Sequence, residues 1–315
     1  MSTMIATDFP KNLPEFLERF GSEEACCEYL FQQKWPNGFR CFKCGCTEAN
    51  LLPTRAIYVC YGCRHHHSLT SDTAFHGTRK GLKRWFLALY LMVTSKQGLS
   101  AKELQRQLGL GSYGTAWSWL HKLRRCMVDP DRSALSGTVE VDETWIGAPK
   151  PGVRGRGAKG KTVVACAVEK KDGRLGRVRL AVIADCSKEK LTAFVKGKLE
   201  LESTVHTDGW RGYSDLERSG YIHLHDVIDD SILKAHDLLP AVHRVFSLLK
   251  RWMLGTHQGA ISRKHLQRYL SEFEFRFNRR TSHSPTHLFQ RLMEGVVRDG
   301  HCPFDKIVGR VKTVV

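Results

Sequence analysis

The sequence predicts a multidomain chain of mixed α+β and α/β character, with a small metal-bound ribbon, a helical region and a domain centred on a mixed sheet. Three observations support this prediction: paired Cys-x-x-Cys motifs, apolar residues at helical spacing, and β-branched runs separated by turn signals follow one another along the chain. At 315 residues the chain is longer than one typical domain and is expected to contain two or three.

The charge balance indicates a polyanionic partner. Lys and Arg number 49 against 32 Asp and Glu, and the resulting net charge of +17 is typical of proteins that bind nucleic acid. An anionic membrane is the alternative, but no apolar run approaches the roughly 18 residues of a spanning helix, and the N-terminal residues do not resemble a signal peptide. We therefore expect a soluble, cytoplasmic protein with no membrane partner. The 11 cysteines are then expected to be thiols and metal ligands.

The first predicted elements are two short helices between Leu13 and Gln33. They are separated at Phe20-Gly21-Ser22, where Ser22 is a plausible N-cap for the second helix. We expect this segment to be a packing element ahead of the first domain.

Four cysteines then have the spacing of a structural zinc ribbon. Cys41 and Cys44 form one Cys-x-x-Cys pair, and after 15 intervening residues Cys60 and Cys63 form the second. Each pair lets two thiolates turn onto one ion, so these four side chains are the predicted ligands of a structural Zn²⁺.

Further potential ligands lie next to this cluster, at Cys46 and in the run His65-His66-His67. A site with four thiolates is already closed. We therefore expect these additional side chains to face solvent or to contact phosphate.

A helix is predicted next, because apolar residues from Leu82 to Val93 recur at helical spacing. Positive charge at a helix N-terminus opposes the helix dipole, so either a bound anion or a solvated face would account for the basic cluster found there. The candidate DNA-binding residues of this cluster are Arg79, Lys80, Lys83 and Arg84.

Two further helices separated by a glycine turn have the pattern of a helix-turn-helix. The first runs from Leu99 to Gly109 with Ser100 as its cap, and the second runs from Tyr113 to Arg125. Many helical hairpins bind nothing, so DNA contact by this pair is a hypothesis. Its candidate DNA-binding residues are Lys122, Arg124 and Arg125.

A carboxylate inside an apolar strand is the first candidate for catalysis. Asp142 follows Val139 and Val141 in a run that has the composition of a buried strand. Burial of a carboxylate is costly unless it is paired or bound to a cation, which makes Asp142 a candidate metal ligand. Its neighbour Glu143 points to the opposite face of the strand and is expected to be a surface residue or a supporting partner.

A second candidate, Asp208, ends the short strand from Val205 and precedes Gly209. Carboxylates at the ends of two neighbouring strands can hold Mg²⁺ or Mn²⁺, and two such ions are used by nucleases and polymerases to act on a phosphodiester. An Asp before Gly is alternatively a simple turn residue.

The order of predicted elements in this part of the chain is strand, strand, strand, helix, strand. A hairpin at Lys171-Asp172-Gly173 joins the second and third strands. This is the order of the mixed sheet of the RNase H-like fold, in which acidic residues of the first and fourth strands lie side by side. The glycine-rich loop after the first strand is expected to follow a phosphate backbone through Arg154, Arg156, Lys159 and Lys161.

From about Leu13 to Arg280 the chain resembles DDE-type insertion-sequence transposases of the ISXO type, which carry a zinc ribbon ahead of an RNase H-like domain. The matching pieces are the ribbon, the strand VEVDETWIG, the segment HTDGWRGY and the tail SLLKRWMLGTHQGAISRKHLQRYLSEFEFRFNRR. The resemblance implies that Asp142 and Asp208 are the first two metal-binding carboxylates.

The resemblance also implies a third catalytic residue on a later helix, with a Lys or Arg seven residues further on. His243 lies 35 positions after Asp208, and Lys250 follows two helical turns later on the same face. Many relatives have Glu at this third position, and others in the branch are similar in using Asn or His. Imidazole suits Mg²⁺ less well than Mn²⁺, and a neutral His243 could instead act as a general base. Two alternatives to a catalytic His243 remain. The chain could be an inactive copy of a transposase, or the third metal ligand could be Asp226 or Asp237.

A transposase of this kind would bind the terminal inverted repeats of its mobile element and catalyse metal-dependent cleavage and strand transfer of double-stranded DNA. The resemblance implies at least a homodimer, acting at the nucleoid in a prokaryotic cytoplasm. A catalytically inactive or domesticated DNA-binding protein is one alternative, and a structure-selective nuclease with the same fold is another. The expected domains are N-terminal helices (1–38), zinc ribbon (39–78), helical DNA-binding region (79–128), catalytic domain (135–295) and C-terminal tail (296–315).

Overall fold

The computed structural model describes residues 10–147, 161–225, 238–259, 261–282 and 285–309, with the side chains of 285 and 286 excepted. The chain divides into two compact units, Met1–Asp129 with Ser282–Val315, and Pro130–Thr281. None of the helices formed by the described residues combines the length and the apolar character that a membrane span needs.

The first unit begins with two short helices followed by a small antiparallel sheet. Ser22 accepts a hydrogen bond from the Ala25 amide and caps the second helix, as the sequence predicts. The elements are α1 (Leu13–Arg19), α2 (Glu23–Lys34), β1 (Ala49–Leu52), β2 (Ile57–Cys60) and β3 (His66–Ser68). The strands pair in the order β1-β2-β3.

Three helices follow in this unit: α3 (Leu82–Thr94), α4 (Ala101–Leu108) and α5 (Tyr113–Cys126). Local signals define the last two. Ser100 caps α4, Gly109 ends it with a left-handed φ of 58°, and Ser112 caps α5. The predicted helix, glycine turn and helix are therefore present.

The second unit is built on a five-stranded mixed sheet. The strands are β4 (Thr138–Ile146), β5 (Thr162–Lys171), β6 (Arg174–Ile183), β7 (Thr204–Thr207) and β8 (Ile222–His225). Their order in the sheet is β6-β5-β4-β7-β8. β4, β5 and β6 pair antiparallel, whereas β7 is parallel to β4 and β8 is parallel to β7. This order confirms the predicted RNase H-like sheet and adds β8, which the sequence analysis did not identify.

Helices cover both faces of this sheet. The helix α6 (Lys188–Lys196) packs on one face, in a core that includes Val141 and Val205. On the other face, α7 (Pro240–His257) and α8 (Leu266–Phe277) pack in a core that includes Cys166 and Val168. The side chains of β4 therefore alternate between two buried environments.

The last helices, α9 (Pro285–Arg298) and α10 (Phe304–Val308), belong to the first unit. The ring of Phe289 is fully buried, with its centroid 5.8–6.2 Å from those of four other aromatic rings. These rings belong to Phe16, Phe20, Tyr29 and Phe86.

This arrangement differs from the sequence expectation, which assigned residues up to 295 to the catalytic domain and the rest to a tail. α9 also approaches α5 closely, since a Cβ at Gly295 would lie 1.9 Å from the carbonyl oxygen of Cys126. The physical reason is that the large apolar surface of Phe289 is buried in the N-terminal aromatic core, a partner that sequence periodicity does not reveal.

Replacement of Phe289 by Ala should destabilise the first unit by about 3–5 kcal/mol, because it removes a fully buried aromatic side chain and leaves a cavity. Phe304→Ala in the same C-terminal segment is the matched control, since Phe304 is 44 % exposed and should cost much less. Urea unfolding followed by circular dichroism measures both. Equal effects of the two substitutions would contradict the burial of Phe289 in this core.

Candidate active site and metal centre

The candidate active site is built on β4, whose side chains point alternately to α7 and to α6. Asp142 pairs with Cys166 and Glu140 pairs with Val168 across the β4–β5 ladder, and directly opposed residues share a face. Cys166 and Val168 belong to the core under α7. Asp142 and Glu140 are therefore on the α7 side of the sheet.

Asp208 directly follows β7, the parallel neighbour of β4. The β4–β7 register ends with Glu140 opposite His206, and Asp142 and Asp208 each follow two residues later in their own segments. The side-chain oxygen Oδ1 of Asp208 accepts a hydrogen bond from the Trp210 amide at 3.0 Å, in the turn that follows the strand. Asp142 therefore lies on β4, and Asp208 lies at the end of the adjacent strand, as the sequence predicts.

His243 reaches this site from the first turn of α7. Its Nε2 atom lies 3.7 Å from Oδ2 of Asp142. The other oxygen of Asp142, Oδ1, accepts the amide hydrogen of Glu143 at 2.7 Å. The structure thus brings together Asp142 and the residue that the sequence assigned as the third catalytic group.

Lys250 lies two turns further along α7. Partial burial and the nearby Lys161 lower the pKa of Lys250, while Asp142 opposes this shift. Both lysines are therefore within electrostatic range of each other, beside the candidate site. Lys161 was predicted as a DNA-binding residue of the glycine-rich loop. Of the four residues predicted there, Lys161 is the one that falls within the described part of the chain.

Glu143 does point away from Asp142, but it is buried rather than a surface residue. Its Oε2 atom accepts a hydrogen bond of 2.9 Å from the hydroxyl of Tyr213, which belongs to the segment that follows Asp208. Burial raises the pKa of Tyr213 well above its usual value, and Glu143, Asp142 and Asp208 add to this shift. Glu143 therefore connects the strand of the first aspartate to the segment after the second.

Two arginines that the sequence analysis did not single out share a surface groove with His243. The groove has a volume of about 300 Å³, and Arg244 and Arg251 form part of its lining. Both are exposed and lie one and eight residues after His243 along α7. Their spacing relative to His243 is the signal that could have identified them from sequence.

Some predicted residues lie outside the described part of the chain. These are Arg154, Arg156 and Lys159 of the glycine-rich loop, and Asp226 and Asp237, the alternative third ligands.

The four predicted zinc ligands form a compact cluster in the first unit. The ligand atoms of Cys41, Cys44, Cys60 and Cys63 all lie within 4.8 Å of one another, and among the described residues no other His, Cys, Asp or Glu side chains make such a group of three or more. Asp142, Asp208 and His243 are less closely grouped than these sulfurs.

The chemistry of these sulfurs fits a cation. Burial raises the pKa of Cys41, but hydrogen bonds to the backbone of Cys44 and Lys43 and to His67 outweigh it and lower the pKa to about 5. A backbone hydrogen bond at Cys46 lowers the pKa of Cys44, but its contacts with the other thiols raise it to about 12. Four sulfurs this close cannot all become thiolates without a positive charge between them, which is what Zn²⁺ supplies.

His67 is buried beside this cluster, although the sequence analysis expected the histidine run to face solvent or phosphate. Its Nε2 atom lies 3.2 Å from Sγ of Cys41. The strand β3 turns His67 inward while His66 stays exposed, because successive side chains of a strand point to opposite faces. His67 is therefore a supporting partner of a cysteine ligand.

The basic cluster before and within α3 is exposed, as expected for Arg79, Lys80, Lys83 and Arg84. An anion already occupies the start of this helix. Its N-cap is Gly81, which offers no side chain, and Glu23 accepts hydrogen bonds from the amides of Leu82 and Lys83. A ligand anion is therefore not required to explain the charge at this N-terminus.

The candidate contacts at the end of α5 need correction. Arg124 is only 1 % exposed and is packed inside the first unit, so it is not available to DNA in this structure. Arg125 donates to the carbonyl oxygens of Asp299 and His301, in the chain segment after α9. Lys122 is partly buried, and this burial lowers its pKa. The C-terminal segment thus covers the helix end that sequence alone left open.

Comparison with known proteins matches both parts of this architecture to transposase domain families. Residues 134–278 match the family described as ISXO2-like transposase domain, and residues 21–66 match the transposase zinc-ribbon domain. An uncharacterized protein in transposable element ISH50 of Halobacterium salinarum is 26% identical over 281 residues, covering 82% of this chain and 92% of that protein. An uncharacterized transposase-like protein of Haemophilus influenzae is 24% identical over 119 residues, covering 38% of this chain and 95% of that protein.

Solved structures give a weaker match. The crystal structure of the Mos1 strand transfer complex aligns with 71% of this chain and 80% of that chain, at 16% identity and a TM-score of 0.29.

An RNase H-like unit and a four-cysteine ribbon, each matched to a transposase domain family, define an insertion-sequence transposase. The chain belongs to the ISXO2-like DDE transposases that carry an N-terminal zinc ribbon.

Purified protein should contain about one Zn²⁺ per chain, and Cys63→Ser should lose it, because a structural site needs all four ligands. Cys46→Ser is the matched control, since the Cys46 thiol contacts the carbonyl oxygen of Glu48 and lies outside the four-sulfur cluster. Metal content measured by mass spectrometry distinguishes them. Zinc retained by Cys63→Ser, or lost equally in Cys46→Ser, would contradict this ligand assignment.

Proposed function

We propose that this transposase binds the terminal inverted repeats of its element, cleaves DNA at the element ends and joins the freed ends to target DNA. The observation that carries the proposal is the approach of His243 to Asp142. Asp142 lies on β4, which pairs in parallel with β7, the strand that precedes Asp208. An acidic pair with a third donor from a helix is a site for metal-assisted phosphoryl transfer.

In the first reaction, water attacks the phosphorus at the element end, the bond to the 3′ oxygen breaks, and a 3′-hydroxyl and a 5′-phosphate result. In the second, that 3′-hydroxyl attacks a phosphodiester of the target, whose own 3′ oxygen leaves. Both are in-line substitutions at phosphorus, so one site can perform them without a covalent protein intermediate. No serine or tyrosine nucleophile is required.

Asp142 and Asp208 are assigned as the carboxylate ligands of the catalytic divalent cations, Mg²⁺ or Mn²⁺. Such ions, when bound, supply Lewis acidity and neutralise charge on the scissile phosphate. A nitrogen donor at His243 favours Mn²⁺ over Mg²⁺ relative to a carboxylate. The Nε2 atom of His243 lies 3.7 Å from Oδ2 of Asp142. We assign to His243, as the alternative role, acceptance of the proton of an attacking hydroxyl.

Basic side chains around this site are assigned to the DNA backbone. Lys161, Arg244, Lys250 and Arg251 add positive charge along α7 and beside β5, where a phosphate approaching Asp142 would pass. In the first unit, the ribbon and the exposed cluster at α3 are assigned to recognition of the inverted repeats. Synapsis of two ends by two copies of the chain completes this proposal.

Asp142→Asn, Asp208→Asn and His243→Ala should each lower cleavage of an oligonucleotide carrying the element end by at least about 100-fold, because each removes a group from the reacting centre. His243→Glu should retain metal-dependent activity if the residue is a ligand, and should lose it if the residue is the base. Single-turnover cleavage and strand transfer, in Mg²⁺ and in Mn²⁺, measure these effects.

Asp172→Asn is the matched control, because Asp172 is exposed at a hairpin turn whose left-handed conformation Asn also adopts. End binding without cleavage by the native protein in either metal would favour a DNA-binding protein without catalysis. Cleavage of generic junctions without joining would favour a nuclease.

Neutralising Lys83 and Arg84 together should weaken binding to the element end and reduce its dependence on salt, by about one unit of slope for each phosphate that these side chains neutralise. Lys171→Ala with Arg174→Ala removes the same charge from an exposed hairpin and should leave end binding nearly unchanged. Fluorescence anisotropy at several salt concentrations makes the comparison. Equal weakening in both double variants would show a non-specific effect of net charge.

A further inference from the structure

A buried carboxylate that the proposed chemistry does not use lies two residues before Asp142. Glu140 is 0 % exposed, at the centre of the sheet, on the same face as Asp142. Burial of such a group is costly unless its oxygens find partners. The partners of this one lie on α7, the helix that carries His243.

The N-terminus of α7 has no side-chain cap from its own N-cap residue. Its N-cap is Leu239, which has no side-chain acceptor, and its first residue is Pro240, which has no amide hydrogen. The amide of His243 donates to the carbonyl oxygen of Leu239 at 3.2 Å. The amides of Ala241 and Val242 are left for a partner from elsewhere in the chain.

Glu140 is that partner. Its Oε2 atom accepts both hydrogen bonds, at 2.8 Å from the Ala241 nitrogen and 3.0 Å from the Val242 nitrogen. The other oxygen, Oε1, lies 3.2 Å from Nζ of Lys170 on the neighbouring strand β5, and the two side chains form an ion pair. One carboxylate therefore holds the first turn of α7 onto β4, where the helix dipole also favours a negative charge.

The consequence is geometric. Glu140 and Asp142 are alternate residues of one strand, so their side chains leave the same face about 7 Å apart. Glu140 fixes the amides of Ala241 and Val242, and the next residue of the helix is His243, whose ring then lies 3.7 Å from Asp142. Glu140 therefore bridges β4 and the first turn of α7 at the point where His243 approaches Asp142.

We propose that Glu140 is a positioning residue of the active site, which holds the first turn of α7 so that His243 meets Asp142. This inference rests on the proposed function of Asp142 and His243. Glu140 does not touch the reacting atoms, since its oxygens are engaged by the helix amides and by Lys170.

The test compares Glu140→Ala, which leaves two amides without an acceptor, with Glu140→Gln, whose amide oxygen can still accept both hydrogen bonds. Glu169→Ala is the matched control. Glu169 is another largely buried carboxylate of the same sheet, but its partners are Arg177 and the Ser136 amide rather than α7.

Hydrogen exchange measured on the intact protein reports the first turn of α7 without requiring metal or activity. Glu140→Ala should raise exchange in the peptide that contains residues 239–243 by about fivefold, the effect expected when a helix cap is removed. Glu140→Gln should stay close to the native protein, and Glu169→Ala should leave this peptide unchanged. Native exchange in Glu140→Ala, or equal changes in Glu169→Ala, would overturn the proposal.

Mn²⁺ alone, titrated by electron paramagnetic resonance, reports the site itself. Asp142→Asn should abolish Mn²⁺ binding at this site. Glu140→Ala should weaken binding of the same ion by about tenfold, as removal of a supporting partner does in other metal sites. Unaltered Mn²⁺ affinity in Glu140→Ala would show that the carboxylate serves the fold alone and would also overturn the proposal.

The two proposals can fail separately. A native protein that binds Mn²⁺ through Asp142 but neither cleaves nor joins DNA contradicts the proposed function and leaves the positioning role of Glu140 intact. If the native protein binds no Mn²⁺, the metal assignment fails and hydrogen exchange alone decides whether Glu140 holds the helix.

Discussion

The parallel pairing of β4 with β7 is the constraint on which the catalytic unit depends. It places β4, which carries Asp142, beside β7, which ends one residue before Asp208, with antiparallel strands on one side of this pair and β8 on the other. Because β4 is covered on both faces, its alternate side chains enter two different environments. Val139 and Val141 fill the core beneath α6, while Glu140 and Asp142 face α7.

This alternation assigns different tasks to neighbouring carboxylates of one short motif. Glu140 secures the helix, Asp142 approaches His243, and Glu143, on the opposite face, accepts a hydrogen bond from Tyr213. A shift of one residue in the pairing register would exchange these environments and place valines where the carboxylates belong. The sheet register therefore determines the chemistry available at this site.

Distant carboxylates at helix N-termini are a recurring feature of both units. α3 begins after Gly81 and α7 begins after Leu239, and neither residue can cap a helix through its side chain. Glu23 and Glu140 supply the missing acceptors from segments 59 and 101 residues away. Since unsatisfied buried amides are costly, each of these contacts links local helix formation to the tertiary fold.

The sequence by itself determined the four-cysteine cluster, the succession of the first four strands of the second unit and the positions of Asp142 and Asp208 on or beside them, because ligand spacing, alternation and turn residues are local properties. It also indicated that His243 and Lys250 share a helix face. It did not identify β8. It did not reveal that Phe289 belongs to the N-terminal unit, that Arg124 is buried, or that His67 points inward at Cys41. Nor could it identify Glu140 as the partner of α7. These features depend on contacts between residues far apart in the chain, and only the tertiary structure decides which buried surface each side chain meets.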